Sequence, residues 1–173
     1  KSALTTAKQA RDYSKKLNNA KSNNPNVYWS VDEVSPEDAE AGIVIDKNYG
    51  SIMVATNGDI KGLFKNPETN TKGVGPKLVQ QAVNNGGRTL DNFNLPYLTK
   101  IYTDAGFRIS GRTPFNEQYA PDGWIKELHG TPDVISMIYD PKNELDIRDK
   151  MFTGDDGYEE MIRHRNSSLN ICN

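Results

Sequence analysis

Leu63-Phe64-Lys65-Asn66-Pro67-Glu68-Thr69-Asn70-Thr71-Lys72-Gly73-Val74-Gly75-Pro76-Lys77-Leu78 is the stretch on which the reading of this chain turns. It runs from a β-rich segment, through a polar loop and a Gly-x-Gly turn, into the apolar stripe Leu78, Val79, Ala82 and Val83. A strand that feeds such a turn and then a helix directs several backbone N–H groups at the place where the positive end of the helix dipole lies. That arrangement is an anion cradle, to which Lys72 and Lys77 can add charge. Taken alone it is also what any tight turn needs, since glycine is used there for conformational reasons.

Beyond the turn the chain alternates. Gly86-Gly87 close the first helix, Arg88 to Phe93 reads as a strand, and Leu98, Ile101, Tyr102 and Ala105 form a second stripe opened by Pro96 and closed by Gly106. Phe107 to Arg112 and Val134 to Tyr139 supply further strands, separated by an aromatic loop from Pro114 to Thr131. Upstream, Val27 to Val31, Ile43 to Asp46, Ser51 to Thr56 and Ile60 to Phe64 read as strands, with Asn57-Gly58 as a hairpin turn. Ser35-Pro36-Glu37-Asp38 has the cap, the proline and the acids of a helix start, so Ser35 to Ala41 is expected to be a short helix ended by Gly42. The fold class expected is α/β in the α+β sense: a mixed, mostly antiparallel twisted sheet with helices on both faces.

With 173 residues, 35% hydrophobic and 25% charged, the chain suits one core with appendages. No apolar run approaches the ~20 residues that cross a bilayer, and no signal peptide opens the chain. Residues 1–22 carry six basic side chains against Asp12, a net +5 that leaves -7 for the remainder of a chain whose total is -2. Residues 1–24 are therefore a weakly amphipathic basic helix, read either as an arm for nucleic acid or an acidic host protein or as a solvated linker. The absent initiator Met favours the linker, left by a longer chain. Residues 25–140 are expected to form the folded domain, and residues 141–173 a charged extension with a peripheral helix. Cys172, the single cysteine, allows no internal disulfide and fits a reducing compartment. His129 and His164 have no Asp, Glu or Cys at metal-ligand spacing, so no metal site is assigned.

A second segment, Tyr102-Thr103-Asp104-Ala105-Gly106-Phe107, follows the cradle one strand and one helix later. Together the two resemble the GCN5-related N-acetyltransferase superfamily, whose acetyl-CoA loop reads Arg/Gln-x-x-Gly-x-Gly/Ala and whose next helix ends in Tyr-x-x-x-Gly-Phe. The resemblance covers roughly 27–139. More narrowly, Leu90-Asp91-Asn92-Phe93, Leu95-Pro96, Phe115 to Trp124 and Pro132-Asp133-Val134 look like the acetyltransferase-like domains of bacteriophage and mobile-element proteins, often parts of larger polyproteins.

The resemblance implies acetyl-CoA as co-substrate, an amine as acceptor, and a cytoplasmic setting in a bacterial or phage-infected cell, with virion association as the alternative. It implies that the backbone of Phe64 and Lys65 pairs with the pantetheine arm, that Asn70, Lys72, Gly73, Val74, Gly75, Lys77 and Leu78 surround the pyrophosphate, and that Tyr102 protonates the departing thiolate. The proton acceptor is Asp91 or Glu117, and Asn94 with Asn92 stands in for the family's asparagine at Leu95. Asn70 departs from the usual Arg or Gln, and Pro76 removes one amide. Tyr119 and Trp124 are either an acceptor wall or a hydrophobic plug. Two other readings stay open: a catalytically lapsed domain that binds host protein or nucleic acid, and a nucleotide-binding module using the same cradle.

Overall fold

The computed structural model describes residues 4–169; Lys1, Ala3 and Cys172 lie outside the described residues. The chain forms two compact units, residues 1–88 with 121–125 and residues 89–120 with 126–173.

The first unit contains α1 (Ala7–Asn23), α2 (Pro25–Tyr28), α3 (Pro36–Ala41), β1 (Ile43–Lys47), β2 (Gly50–Val54), β3 (Ile60–Lys65) and α4 (Val74–Asn84). Its strands pair antiparallel in the order β1-β2-β3. β2 is buried along its whole length because helices cover both faces. Met53 and Phe64 join Ala10, Tyr13 and Leu17 of α1 in one cluster. Gly50 and Ile52, alternating with Met53, face α4, and a Cβ on Gly50 would lie 3.0 Å from Val74 and 3.1 Å from Leu78.

Two expectations fail here. Residues 4–24 are neither a solvated linker nor a free arm: Thr6 and Gln9 form a capping box, and Ala10, Tyr13 and Leu17 are fully buried. The alanine stripe reads as weak because alanine buries little area, but it lets the helix lie close while Tyr13 supplies the anchor. Lys8, Arg11 and Lys15 remain on the exposed face. Val27 to Val31 is not a strand. Pro25 starts the short helix α2, Val27 is 62% exposed, and the half-buried Lys21 ammonium donates to the carbonyls of Tyr28 and Val31.

The second unit contains β4 (Thr89–Phe93), α5 (Pro96–Asp104), β5 (Phe107–Thr113), a 3-10 turn at Glu117–Tyr119, α6 (Lys126–His129), β6 (Val134–Tyr139) and α7 (Gly157–Ser168). Its sheet has the order β4-β6-β5, again antiparallel, with Asp91 opposite Ser136 and Asn92 opposite Ile135. Among the described residues the parallel pairing expected of a mixed sheet is confined to one bridge, Arg112 with Met151. Both units are α+β, as the alternation of periods predicts.

The segment after Pro141 is structural rather than peripheral. Met161 is fully buried, and the Arg165 guanidinium, 5% exposed, donates to the Leu90 carbonyl at 3.4 Å. A Cβ at Gly157 would sit 2.7 Å from the Thr113 hydroxyl, so α7 needs glycine to approach β5. One methionine and one buried arginine give almost no amphipathic pattern, which hides this helix in the sequence.

Candidate functional site

β3 is an outer strand of the first unit's sheet, and its course is irregular. The pairs Lys61 with Met53 and Phe64 with Ser51 leave Gly62 and Leu63 against the single residue Ile52, a β-bulge. Gly62 has φ +62, and its carbonyl accepts a 2.9 Å hydrogen bond from Tyr13. The strand end is held by Tyr28, whose hydroxyl donates to the Lys65 carbonyl at 2.7 Å. Burial pushes the Tyr28 phenol up, which keeps it a donor. Phe64 lies between Tyr13 and Tyr28 at ring distances of 6.3 and 6.4 Å, while the Lys65 side chain is exposed.

From Lys65 the chain turns through Asn66, which donates to the Asn48 carbonyl, and through the hydroxyl pair Thr69 and Thr71. Gly73 then caps α4 with φ +66, a left-handed conformation, and nothing lies within 4 Å of the place a Cβ would occupy. The cap has no side chain to offer, and the first turn holds no acid. The Lys77 N–H bonds back to the Gly73 carbonyl and Pro76 has no N–H, so the amides of Val74 and Gly75 are the donors at the positive end of this eleven-residue helix.

Helix α4 starts at Val74, so Pro76 is its third residue, and the missing amide is one that has no intrahelical partner in any case. Val74 and Leu78 turn inward and are buried; Asn70 and Lys72 are exposed. The Lys77 ammonium lies over the Tyr49 ring at 5.8 Å. Phe64, Lys65 and the residues from Asn70 to Leu78 thus belong to one strand–loop–helix passage of the first unit.

The remaining expected site residues are in the second unit. Tyr102 is 4% exposed and packs edge-on to Phe107 at 5.8 Å, and Phe107 in turn meets Tyr139 at 5.2 Å. The Asp91 carboxylate accepts a 3.0 Å hydrogen bond from Tyr158 of α7. Nothing local in the sequence signals that partner, which is 67 residues away. Glu117 is exposed and pairs with Lys126 at 3.4 Å. Asn94 accepts from the Thr99 hydroxyl at 2.7 Å and its N–H bonds to the Asp133 carbonyl, so it fixes the entry to α5. Asn92 is different: both polar atoms of its carboxamide are buried with no partner among the described residues. Tyr119 is 76% exposed, and Trp124, half-buried, belongs to the first unit beside Gly123, which packs on Pro25. His164 bonds to the Arg148 carbonyl and stacks against Phe152.

Among the described residues no helix is long and apolar enough to cross a membrane, and no group of three or more His, Cys, Asp or Glu converges to hold a metal ion.

No family model matches the chain, and no curated protein matches it. Among solved structures it is similar to a Bacillus subtilis acetyltransferase crystallised in complex with CoA, with a TM-score of 0.44 and 18% identity over 60% of this chain and 80% of that one.

Proposed function

We propose that this chain is an acyl-CoA-dependent N-acyltransferase that takes acetyl-CoA as co-substrate and delivers the acetyl group to an amine. The observation that carries the reading is the passage from β3 to α4: an outer strand with a bulge, then a left-handed glycine, then a helix start whose amides no side chain caps. The outer edge of β3 at Phe64 and Lys65 suits an extended pantetheine arm added like a strand, and the amides of Val74 and Gly75 suit a pyrophosphate. The open space at Gly73 fits a group that must approach the backbone closely. Acetyl transfer to an amine then needs positioning, a proton acceptor and a donor for the leaving thiolate. In this reading Tyr102 is the donor and Asp91, ahead of the lysine-paired Glu117, the acceptor.

The burial of Tyr102 and the engagement of Asp91 by Tyr158 favour one rival, a domain of the same fold that binds CoA or a macromolecular partner without turnover. Calorimetric titration with acetyl-CoA, followed by free-thiol release in the presence of mixed amines, separates the two. Binding with thiol release supports the enzyme, binding without it supports a CoA-binding rival, and no binding removes the enzyme and leaves only the rival that binds a macromolecular partner.

A further inference from the structure

In an antiparallel ladder, successive residues turn their backbone groups alternately toward the neighbouring strand and away from it. The Asn66 N–H bonds to the Tyr49 carbonyl and Phe64 stands opposite Ser51, so both residues turn toward β2. Lys65, between them and opposite Gly50, therefore turns its N–H and its carbonyl outward. It is the last residue of β3, and no further strand of this sheet lies beyond it to hold those groups. A side chain takes that place: the Tyr28 hydroxyl donates to the Lys65 carbonyl at 2.7 Å. Water would satisfy an outward carbonyl at a strand end without fixing its direction, whereas a buried phenol does both.

Tyr28 is itself fixed. It is the one buried residue of α2, so this side chain is what the short turn contributes to the core. Its ring meets Phe64 edge-on at 6.4 Å, and its backbone carbonyl accepts from the Lys21 ammonium at 3.1 Å. Lys21 also donates to the Val31 carbonyl, which ties down the chain on the far side of the turn. A lysine of α1 thus sets the course of the β3 edge through one tyrosine.

We infer that Tyr28 is a positioning residue for the acyl-CoA arm, acting through Lys65: its hydroxyl holds the outward peptide groups of the β3 edge in the orientation that a ligand added like a strand meets. The inference rests on the acyltransferase reading, in which that edge receives the arm and the amides of Val74 and Gly75 receive the pyrophosphate. Of those two contacts, only the first depends on Tyr28.

The test compares acetyl-CoA, which carries arm and pyrophosphate together, with ADP, which carries a pyrophosphate and no arm. Both are titrated into the full chain, the first by calorimetry and the second by saturation-transfer NMR. Tyr28→Phe keeps the ring on Phe64 and removes the hydroxyl. It is expected to weaken acetyl-CoA by about three- to tenfold, the binding equivalent of one hydrogen bond, and to leave ADP unchanged. Thr5→Val is the control: it deletes the hydroxyl that donates to the Gly42 carbonyl and accepts from the Val44 N–H, at the opposite outer strand, and should lower the melting temperature without moving either ligand. Should Tyr28→Phe fail to fold, Lys21→Met, which frees the turn but keeps the phenol, decides by the same selective loss. Acetyl-CoA affinity that survives Tyr28→Phe, an equal loss of ADP, or an equal loss from Thr5→Val overturns the role of Tyr28 and leaves the acyltransferase reading standing. Failure of the parent protein to bind acetyl-CoA overturns both.

Discussion

The Tyr13 hydroxyl donates a hydrogen bond to the Gly62 carbonyl at 2.9 Å, and a Cβ placed on Gly62 would fall 1.9 Å from that same oxygen. One contact therefore holds α1 on the sheet and admits only glycine at the bulge of β3. The helix that the charge pattern marks as an appendage is what fixes the strand carrying Phe64 and Lys65.

Removing the hydroxyl with Tyr13→Phe leaves the Gly62 carbonyl unpaired in the core and should lower stability by about 1–3 kcal/mol. Gly62→Ala should cost more, since the left-handed φ alone costs roughly 1–2 kcal/mol in a residue with a Cβ and the clash with Tyr13 adds to it. Urea denaturation of both single variants and the double variant tests the coupling. With the hydroxyl gone the alanine has more room, so the double variant should lose less than the sum of the singles. Strict additivity would disprove the contact.

At Gly75, the second residue of α4, aspartate pulls in two directions. A carboxylate near a helix N-terminus helps an isolated helix by about 0.3–1 kcal/mol, so Gly75→Asp should fold at least as well as the parent. It also places negative charge where the pyrophosphate is proposed to sit. Calorimetry should show CoA binding reduced beyond detection in a protein whose melting temperature is unchanged or higher. Retained affinity would remove the α4 amides from the proposed site.

The acid limb of stability should depend on Asp140. Burial alone would push this carboxyl up, but N–H groups of Glu144 and Leu145 and the Arg108 guanidinium, at 3.0, 3.1 and 2.5 Å, hold it below its ordinary value of 3.8. A carboxyl lowered in the folded state contributes stability that is fully present above pH 3.8 and disappears as pH falls through the folded value. Asp140→Asn should therefore lose stability at pH 6 and show a flatter decline between pH 4 and 2 than the parent. Thermal melts across that range would expose a parallel decline, which would show that another group governs the limb.

The elements with strong local grammar were legible before the structure. Ser35-Pro36 starting α3, Asn57-Gly58 turning β2 into β3 and Gly106 ending α5 are all local signals, and each sits where its grammar puts it. What escaped depends on distant partners. Val27 to Val31 is rich in β-formers, yet Pro25 starts a helical turn there and the Lys21 ammonium satisfies the Tyr28 and Val31 carbonyls, and α7 is held by Met161 and Arg165 against a sheet that the local sequence cannot announce. The turn at Gly73 into α4 was readable for the same reason, since its glycine and proline signals lie in adjacent backbone. The engagement of Asp91 by Tyr158 was not, because it joins β4 to the last helix.

Tyr102 decides whether the second unit contributes chemistry or only packing. Its ring lies edge-on to Phe107 and is almost wholly buried, so Tyr102→Phe retains the ring contact and deletes the hydroxyl alone. If the hydroxyl protonates the leaving thiolate, acyl transfer should fall by about 10²–10⁴-fold while acetyl-CoA affinity persists and stability shifts by no more than about 0.5–1.5 kcal/mol. Packing alone predicts the reverse, a lower melting temperature with turnover unchanged. The pH profile adds a readout that packing cannot move: a phenol acting as acid sets the alkaline limb of the rate, and that limb should vanish in the variant. Thiol release measured at saturating acetyl-CoA from pH 6 to 10 supplies both numbers, and equal rates with an intact alkaline limb would end the catalytic role of Tyr102.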